Sequence, residues 1–524
     1  MSMAAVRYCV LLLGLMAGRV SAQDACARLA DLKLDGARID SVTMSAGTDF
    51  PAVGQRLAVH AGPRCEVNVV ATPTADSQIR FTLWLPLQQA WNGKYLQKGS
   101  GGWGGDVYTY ALATPLGRGY ATAVADDGHA SDGTAHFMVG HPEKLIDFGY
   151  RAIHETSRLA RPIIVAYYGA AEKKAYFVGC SDGGREALMQ AQRYPDDFDG
   201  IVAGAPAAAW NELMAGFVWN ERAMSSADGK PVLTATKLGL LQAAALRSCD
   251  AMDGLRDGLI DDPRRCLFDP ETLLCKAIDS DKCLTRAQVD AVKKVYGGPV
   301  DPVTGARIHP GLETGTEADP FGWRTWLLGG DQAKFGNSHF GDAVYQGAPW
   351  NWRSSDLHGD LVLARSRASA LDATNPDLRE FRAHGGKLLL FHGWGDAALP
   401  PRGTIEYVED VRRFMEAHGG PGDIDDFARL FMAPGMGHCW GGPGATSFGN
   451  EEVPAPGLVQ DADHDIVMAL DRWVEHGQAP GRIVATRTGT APMTRPLCVY
   501  PAVARYSGKG SSDDAANFSC VAPP

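Results

Sequence analysis

Gly179-Cys180-Ser181-Asp182-Gly183 sets a serine between small residues in a Gly-x-Ser-x-Gly spacing. A serine hydroxyl is a weak nucleophile. It needs a base to take its proton and an acid to orient that base. Small flanking residues let the chain turn sharply from strand to helix, so that the hydroxyl projects above the turn. Partners in such an arrangement follow in the order serine, acid, histidine. Downstream, Phe391-His392-Gly393-Trp394-Gly395-Asp396 places an acid just after an apolar run, and Gly435-Met436-Gly437-His438-Cys439 places a histidine in a Gly-rich loop. Asp396 is preferred over Asp410, which lies in a helical pattern, and over Asp423, Asp425 and Asp426, which share an acidic, solvated stretch. His438 is preferred over His392, which precedes the acid, and over His464. Ser181, Asp396 and His438 in this order point to acyl transfer.

Two further features serve that chemistry. A developing oxyanion needs N–H donors aimed at it. The N–H of Asp182 follows the serine directly. A second donor is expected from Gly99-Ser100-Gly101-Gly102-Trp103-Gly104-Gly105, at Gly101 or Gly102, where a backbone without side chains approaches a ligand closely. Cys180 immediately precedes the serine and Cys439 immediately follows the histidine. If Ser181 and His438 touch, the two sulfurs are neighbours, and an exported chain is expected to join them.

The elements that must position these groups are legible in the apolar periodicity. Residues 79–85 alternate as a half-buried strand does, and 95–97 and 120–124 read as further strands. Residues 175–178 form a short apolar run expected as a buried parallel strand, followed by a helix over 183–194 and a strand over 200–204. After residue 378 the alternation returns, with strands at 387–391 and 428–432 around a helix at 402–418. Alternation of this kind predicts a mostly parallel sheet covered on both faces, the frame of an α/β-hydrolase core. Between 210 and 377 the pattern breaks down into a Gly- and Asp-rich stretch containing Trp323, Trp326, Trp350 and Trp352. It is expected to be an inserted, loop-rich domain held by local cross-links, whose tryptophans serve either to pack on a flat aromatic group or to build the insertion's own core. The expected organisation is a signal over 1–22, core over 23–209, lid over 210–377 and core again over 378–524.

Bulk properties narrow the function classes. At 524 residues with a net charge of −11 and no basic run, the chain does not read as a nucleic-acid binder. Arg7, the apolar run from Tyr8 to Met16 and Val20-Ser21-Ala22 have the form of an export signal, so a secreted or periplasmic protein is expected. No later stretch is long and apolar enough to be read as a membrane span. Of eleven cysteines, Cys9 falls in the signal. The even remainder fits disulfides, and Cys249/Cys266, Cys275/Cys283 and Cys498/Cys520 are close enough in sequence for local bridges. Asp250, Asp253 and Asp257, interleaved with glycines, offer hard oxygen ligands of the kind calcium takes, outside the EF-hand spacing.

Together these residues resemble the tannase/feruloyl esterase family. The likeness rests on Trp91-Asn92-Gly93-Lys94, the 99–105 loop, Asp127-Gly128-His129, His141-Pro142-Glu143-Lys144, the run from Asp147 to Ala152, Gly179 to Gly184, His392 to Asp396 and Gly437-His438-Cys439. The resemblance implies an α/β-hydrolase core with an inserted lid and a Cys180–Cys439 bridge beside the triad. It also implies the remaining bridges Cys26–Cys65, Cys249–Cys266, Cys275–Cys283 and Cys498–Cys520. A structural calcium in the lid is implied, held by Asp250, Asp253 and Asp257 with the carbonyls of Leu255 and Leu259. The implied activity is hydrolysis of small aromatic esters, with feruloyl, hydroxycinnamoyl or galloyl esters expected and terephthalate monoesters or general aryl esters as the alternative. A catalytically retired binding protein on the same scaffold is the non-enzymatic alternative, disfavoured by the intact triad.

Overall fold

Short runs of apolar residues bounded by turns build the centre of the molecule. The computed structural model describes residues 21–54, 56–418 and 424–523. The expected signal therefore lies outside the described residues up to position 20. Among the described residues nine strands form one sheet: β1 (Ala37–Ser45), β2 (Arg64–Ala71), β3 (Ile79–Pro86), β4 (Lys94–Lys98), β5 (Ala121–Ala125), β6 (Lys174–Cys180), β7 (Gly200–Gly204), β8 (Lys387–Gly393) and β9 (Ala428–Ala433). Their spatial order is β1-β2-β3-β5-β4-β6-β7-β8-β9. The first pairings, from β1 to β5, are antiparallel, and those from β5 through β9 are parallel.

Side chains alternate between the two faces, as a pleated strand requires. Ala175, Phe177, Ile201, Ala203, Leu388 and Leu390 join one buried cluster. Tyr176, Val178, Val202, Leu389 and Phe391 join another on the opposite face. Helices α1 (Ala152–Tyr168) and α2 (Asp182–Arg193) cover the first face. Both faces being buried explains why β6, β7 and β8 read as unbroken apolar runs.

Between β7 and β8 the chain forms α3 (Trp210–Met224), α4 (Ala235–Cys249), α5 (Arg286–Gly297), α6 (Asp331–Ser338) and α7 (Leu357–Arg367). Between these helices run long irregular stretches, such as 298–322 and 345–356. Helix α3 buries residues around most of its circumference, from Trp210 and Asn211 to Phe217 and Met224. A helix buried all round carries no clean polar stripe, so its period is hard to read. After β8 come α8 (Pro401–His418), packed on the first face, and, beyond β9, α9 (Ile466–His476), packed on the second.

Among the described residues five disulfides are present: Cys26–Cys65, Cys180–Cys439, Cys249–Cys266, Cys275–Cys283 and Cys498–Cys520. No helix among the described residues is long and apolar enough to cross a membrane.

Candidate active site

Ser181 stands on the turn from β6 into α2 with φ 66° and ψ −119°. A non-glycine residue there stores on the order of 1–3 kcal/mol of strain unless its surroundings hold it. Here the Ser181 N–H donates to Gly204 O at 3.0 Å, and Ser181 O accepts from the Arg185 and Ala207 N–H groups at 3.1 and 3.2 Å. The flanking glycines are required by contact. A Cβ on Gly179 would lie 2.3 Å from Gly183 O, and one on Gly184 would lie 2.2 Å from Gly204 O.

His438 hangs in the loop after β9, and Asp396 in the loop after β8. His438 Nε2 lies 2.8 Å from Ser181 Oγ, and His438 Nδ1 lies 2.8 Å from Asp396 Oδ2. The three side chains thus form one hydrogen-bonded line, with the nucleophile–base and base–acid reach that acyl transfer requires. Beside that line, Cys180 and Cys439 are joined with Cα atoms 6.0 Å apart across a separation of 259 residues.

Asp396 is fully buried, so its charge must be held from within. Its Oδ1 accepts from the N–H groups of Ala398 and Leu399 at 2.8 and 2.9 Å. Burial by itself would raise its carboxyl. The charge on His438 and the hydrogen bonds from His392 and His438 outweigh it and hold the group well below the usual carboxylate range. His392 was set aside as a base from its order in the chain, and the structure places it behind the acid. Its Nε2 lies 3.1 Å from Asp396 Oδ2, and its Nδ1 lies 2.8 Å from Thr404 Oγ1. That supporting position carries no local pattern, since Thr404 belongs to α8. Of the rival acids, Asp410 pairs with Arg413, and Asp423 falls outside the described residues. His464 is turned to Asp461 at 2.7 Å.

The Asp182 N–H opens helix α2 and so has no intrahelical acceptor. Gly101 and Gly102 line the same cavity as Ser181, and a Cβ on Gly101 would meet nothing within 4 Å. That cavity has a volume of about 580 Å³. Trp210, Phe217 and Phe335 form an aromatic wall, and Trp326 stands edge-on to the His438 ring at 5.2 Å. Of the four tryptophans considered for contact with a flat acyl group, Trp326 alone lines this cavity. Trp323 is buried against α4 and α5 residues, Trp350 stacks on Phe340, and Trp352 lies under Arg353. Sequence reasoning missed Trp210, Phe217 and Phe335, because aromatic residues on a buried helix look alike whether they face core or cavity.

The acidic loop expected to hold calcium is only partly gathered. Asp250 Oδ1 accepts from the N–H groups of Asp257 and Gly258 at 3.2 and 3.1 Å. Asp253 Oδ1 and Asp257 Oδ1 accept from the N–H groups of Leu255 and Leu259 at 2.9 and 3.2 Å. Arg495 Nη2 donates to Asp257 Oδ2 at 2.6 Å. Asp261 also faces Asp253; burial and then the Asp253 charge push it up to about 8. Four carboxylates answered by one guanidinium make an oxygen-rich, negative donor set, which fits a hard cation. Among the described residues, the groups of three metal-type side chains with ligand atoms within 4.8 Å of one another lie elsewhere. One is Cys275, Asp279 and Cys283, whose sulfurs are already joined; the other is Asp127, Asp182 and Glu186.

A mostly parallel sheet, a strained serine on the strand–helix turn and a Ser–His–Asp line at the sheet's carboxyl edge define an ester hydrolase of α/β-hydrolase fold. The family model for tannase and feruloyl esterase matches residues 65–521, and the chain belongs to that family. It is 40% identical to an uncharacterized esterase of Xanthomonas campestris pv. campestris, over 98% of this chain and 94% of that one. It is 32% identical to the mono(2-hydroxyethyl) terephthalate hydrolase of Piscinibacter sakaiensis, over 85% of this chain and 82% of that protein. The crystal structure of feruloyl esterase B from Aspergillus oryzae superposes with a TM-score of 0.86 at 28% identity, covering 96% of this chain and 100% of that one. The protein is a carboxylic ester hydrolase, and the reading as a retired binding scaffold is set aside.

Proposed function

We propose that the protein is an exported serine esterase that cleaves esters of aromatic carboxylic acids, such as hydroxycinnamates or gallates. The observation that carries the reading is the Ser181–His438–Asp396 line opening into an aromatic-walled cavity of about 580 Å³. His438 Nε2 takes the Ser181 proton as Oγ attacks the ester carbonyl. Asp396 orients the imidazole and stabilises its charged form. The N–H groups of Asp182 and of Gly101 or Gly102 bind the developing oxyanion, worth roughly 3 kcal/mol each. His438 returns the proton to the departing alcohol, and water then releases the acid from the acyl-enzyme. Residues 210–377 act as the lid that carries the aromatic wall. A terephthalate monoester fits the same wall, and the relative from Piscinibacter sakaiensis supports that alternative.

Methyl ferulate, methyl gallate, chlorogenate and mono(2-hydroxyethyl) terephthalate, offered to the purified enzyme in parallel, separate these readings. Turnover of p-nitrophenyl acetate with none of the four would rule out the aromatic acyl preference.

We assign calcium to the 250–261 loop, with Asp250, Asp253, Asp257 and the Leu255 and Leu259 carbonyls as ligands. The ion would brace the lid. Calcium at a hundredfold excess over its Kd stabilises by about 2.7 kcal/mol, so chelation is expected to lower the melting temperature. An unchanged melting curve in excess chelator would remove the assignment.

A further inference from the structure

Beneath the 99–105 loop lies a group of carboxyls that the mechanism above does not use. Asp127, Asp182 and Glu186 are each about 1% exposed, and their oxygens lie within 4.8 Å of one another. Arg185 Nε donates to Asp182 Oδ1 at 2.6 Å, while its other nitrogens are taken by Gly149 O and Phe148 O. Neither Asp127 oxygen has a donor in hydrogen-bond geometry. Three buried carboxylates facing one guanidinium leave two negative charges uncompensated, which a dry site does not tolerate without protons or a cation.

The cluster is built into the loop. The Ser100 N–H donates to Glu186 Oε2 at 3.0 Å, and Ser100 Oγ lies 3.1 Å from both Asp182 Oδ2 and Glu186 Oε1, its one proton serving either of them. A Cβ on Gly99 would lie 2.7 Å from Glu186 Oε2, and one on Gly104 would lie 2.3 Å from Asp127 Oδ2. Gly101 therefore sits on a loop seated at both ends on these acids.

We propose that Asp127, Asp182 and Glu186 share trapped protons in the working enzyme, and that this neutralised cluster positions the loop presenting Gly101 or Gly102 to the oxyanion. Asp127 and Glu186 are positioning residues, acting through Ser100 and Gly104 rather than on substrate. The inference rests on the serine-esterase reading and deepens it. A cation is the poorer occupant: calcium takes six to eight oxygens, whereas this site offers three carboxyls with a guanidinium already among them.

The neighbouring charges agree. Asp126, at the end of β5, is satisfied by the N–H groups of Arg80 and Gly128, both at 2.9 Å, and by the Arg80 guanidinium. Asp147, which packs against Gly128, is paired with Arg151 at 2.5 Å. Burial, then the charges of Glu186 and Asp182, hold Asp127 well above the usual carboxylate range. Burial, then the charge of Asp182, pushes Glu186 up to about 7. Carboxyls raised in the folded state stabilise it at low pH, and that contribution is lost as pH rises through the raised values. The loop is thus expected to loosen on the alkaline side, from about pH 7 upward.

The test is the pH profile of kcat for the wild type, Asp127→Asn and Glu186→Gln, with divalent-metal content measured on each. The amides keep the shape and remove the charge. The expected result is a kcat at pH ~6 within a fewfold of wild type, and an alkaline limb moved upward by about one pH unit or more. If Asp127→Asn does not fold, Glu186→Gln carries the comparison. Active variants with an unmoved alkaline limb would overturn the proposal. So would the loss of one metal ion per chain in Asp127→Asn, which would make the cluster a cation site. A wild type inactive on every ester would instead strike the serine-esterase reading itself.

Discussion

Ser181→Ala is expected to reduce kcat by about 10⁵- to 10⁶-fold while leaving the fold and the melting temperature close to wild type. The change removes one oxygen atom at the end of the Ser181–His438–Asp396 line and touches no core contact. At ~1.4 kcal/mol per decade, the loss corresponds to roughly 7–8 kcal/mol of barrier. The residual rate should exceed that in water, because the Asp182 N–H and the 99–105 loop still receive the oxyanion. The strain at φ 66° is unchanged by the substitution, since alanine keeps the Cβ that makes this backbone conformation costly. Steady-state kinetics on p-nitrophenyl acetate and an aromatic ester would settle the matter. Full activity in the variant would show that another residue attacks the ester.

The second large effect concerns the Cys180–Cys439 bridge. It closes a loop of 259 residues, for which chain-entropy arguments give a stabilisation of about 5 kcal/mol. The Cys249–Cys266 and Cys275–Cys283 bridges lie inside that loop and shorten it slightly. The double variant Cys180→Ala/Cys439→Ala is therefore expected to melt well below wild type. It should also lose activity, on the order of a hundredfold in kcat, because a base displaced by about 1 Å misses the attacking geometry. The bridge joins the residue before the nucleophile to the residue after the base, so few other links restrain their separation as directly. Thermal melts and kcat, measured on the double variant, test both parts. A variant with wild-type kcat and melting temperature would show that the surrounding packing alone holds His438 in place.

Much of the site was legible before any coordinates because local chemistry constrained it. A nucleophile on a strand–helix turn needs glycines where a Cβ would strike backbone at 2.3–2.8 Å, and Gly179 and Gly183 stand at those positions. The chain order of serine, acid and histidine, with one cysteine adjoining each end, then marked the side chains that meet. Strands β6, β7 and β8 were readable because burial on both faces demands unbroken apolar runs. The helices of 210–377 were harder to read, since residues such as Trp210 and Phe217 are enclosed on several sides and lose the polar stripe that marks a surface helix.

The amino-acid sequence alone marked the hydroxyl, imidazole and carboxylate as candidates, because a tight turn demands small residues within a few positions and because Cys180 and Cys439 each adjoin a member of the set. Tertiary structure decided what surrounds them: His392 behind Asp396, the wall of Trp210, Phe217 and Phe335, and the acids under the 99–105 loop. Those neighbours come from segments far apart in the chain. An aromatic or acidic residue has the same local appearance whether packing turns it to the core, to a cavity or to solvent, so only the assembled fold assigns it.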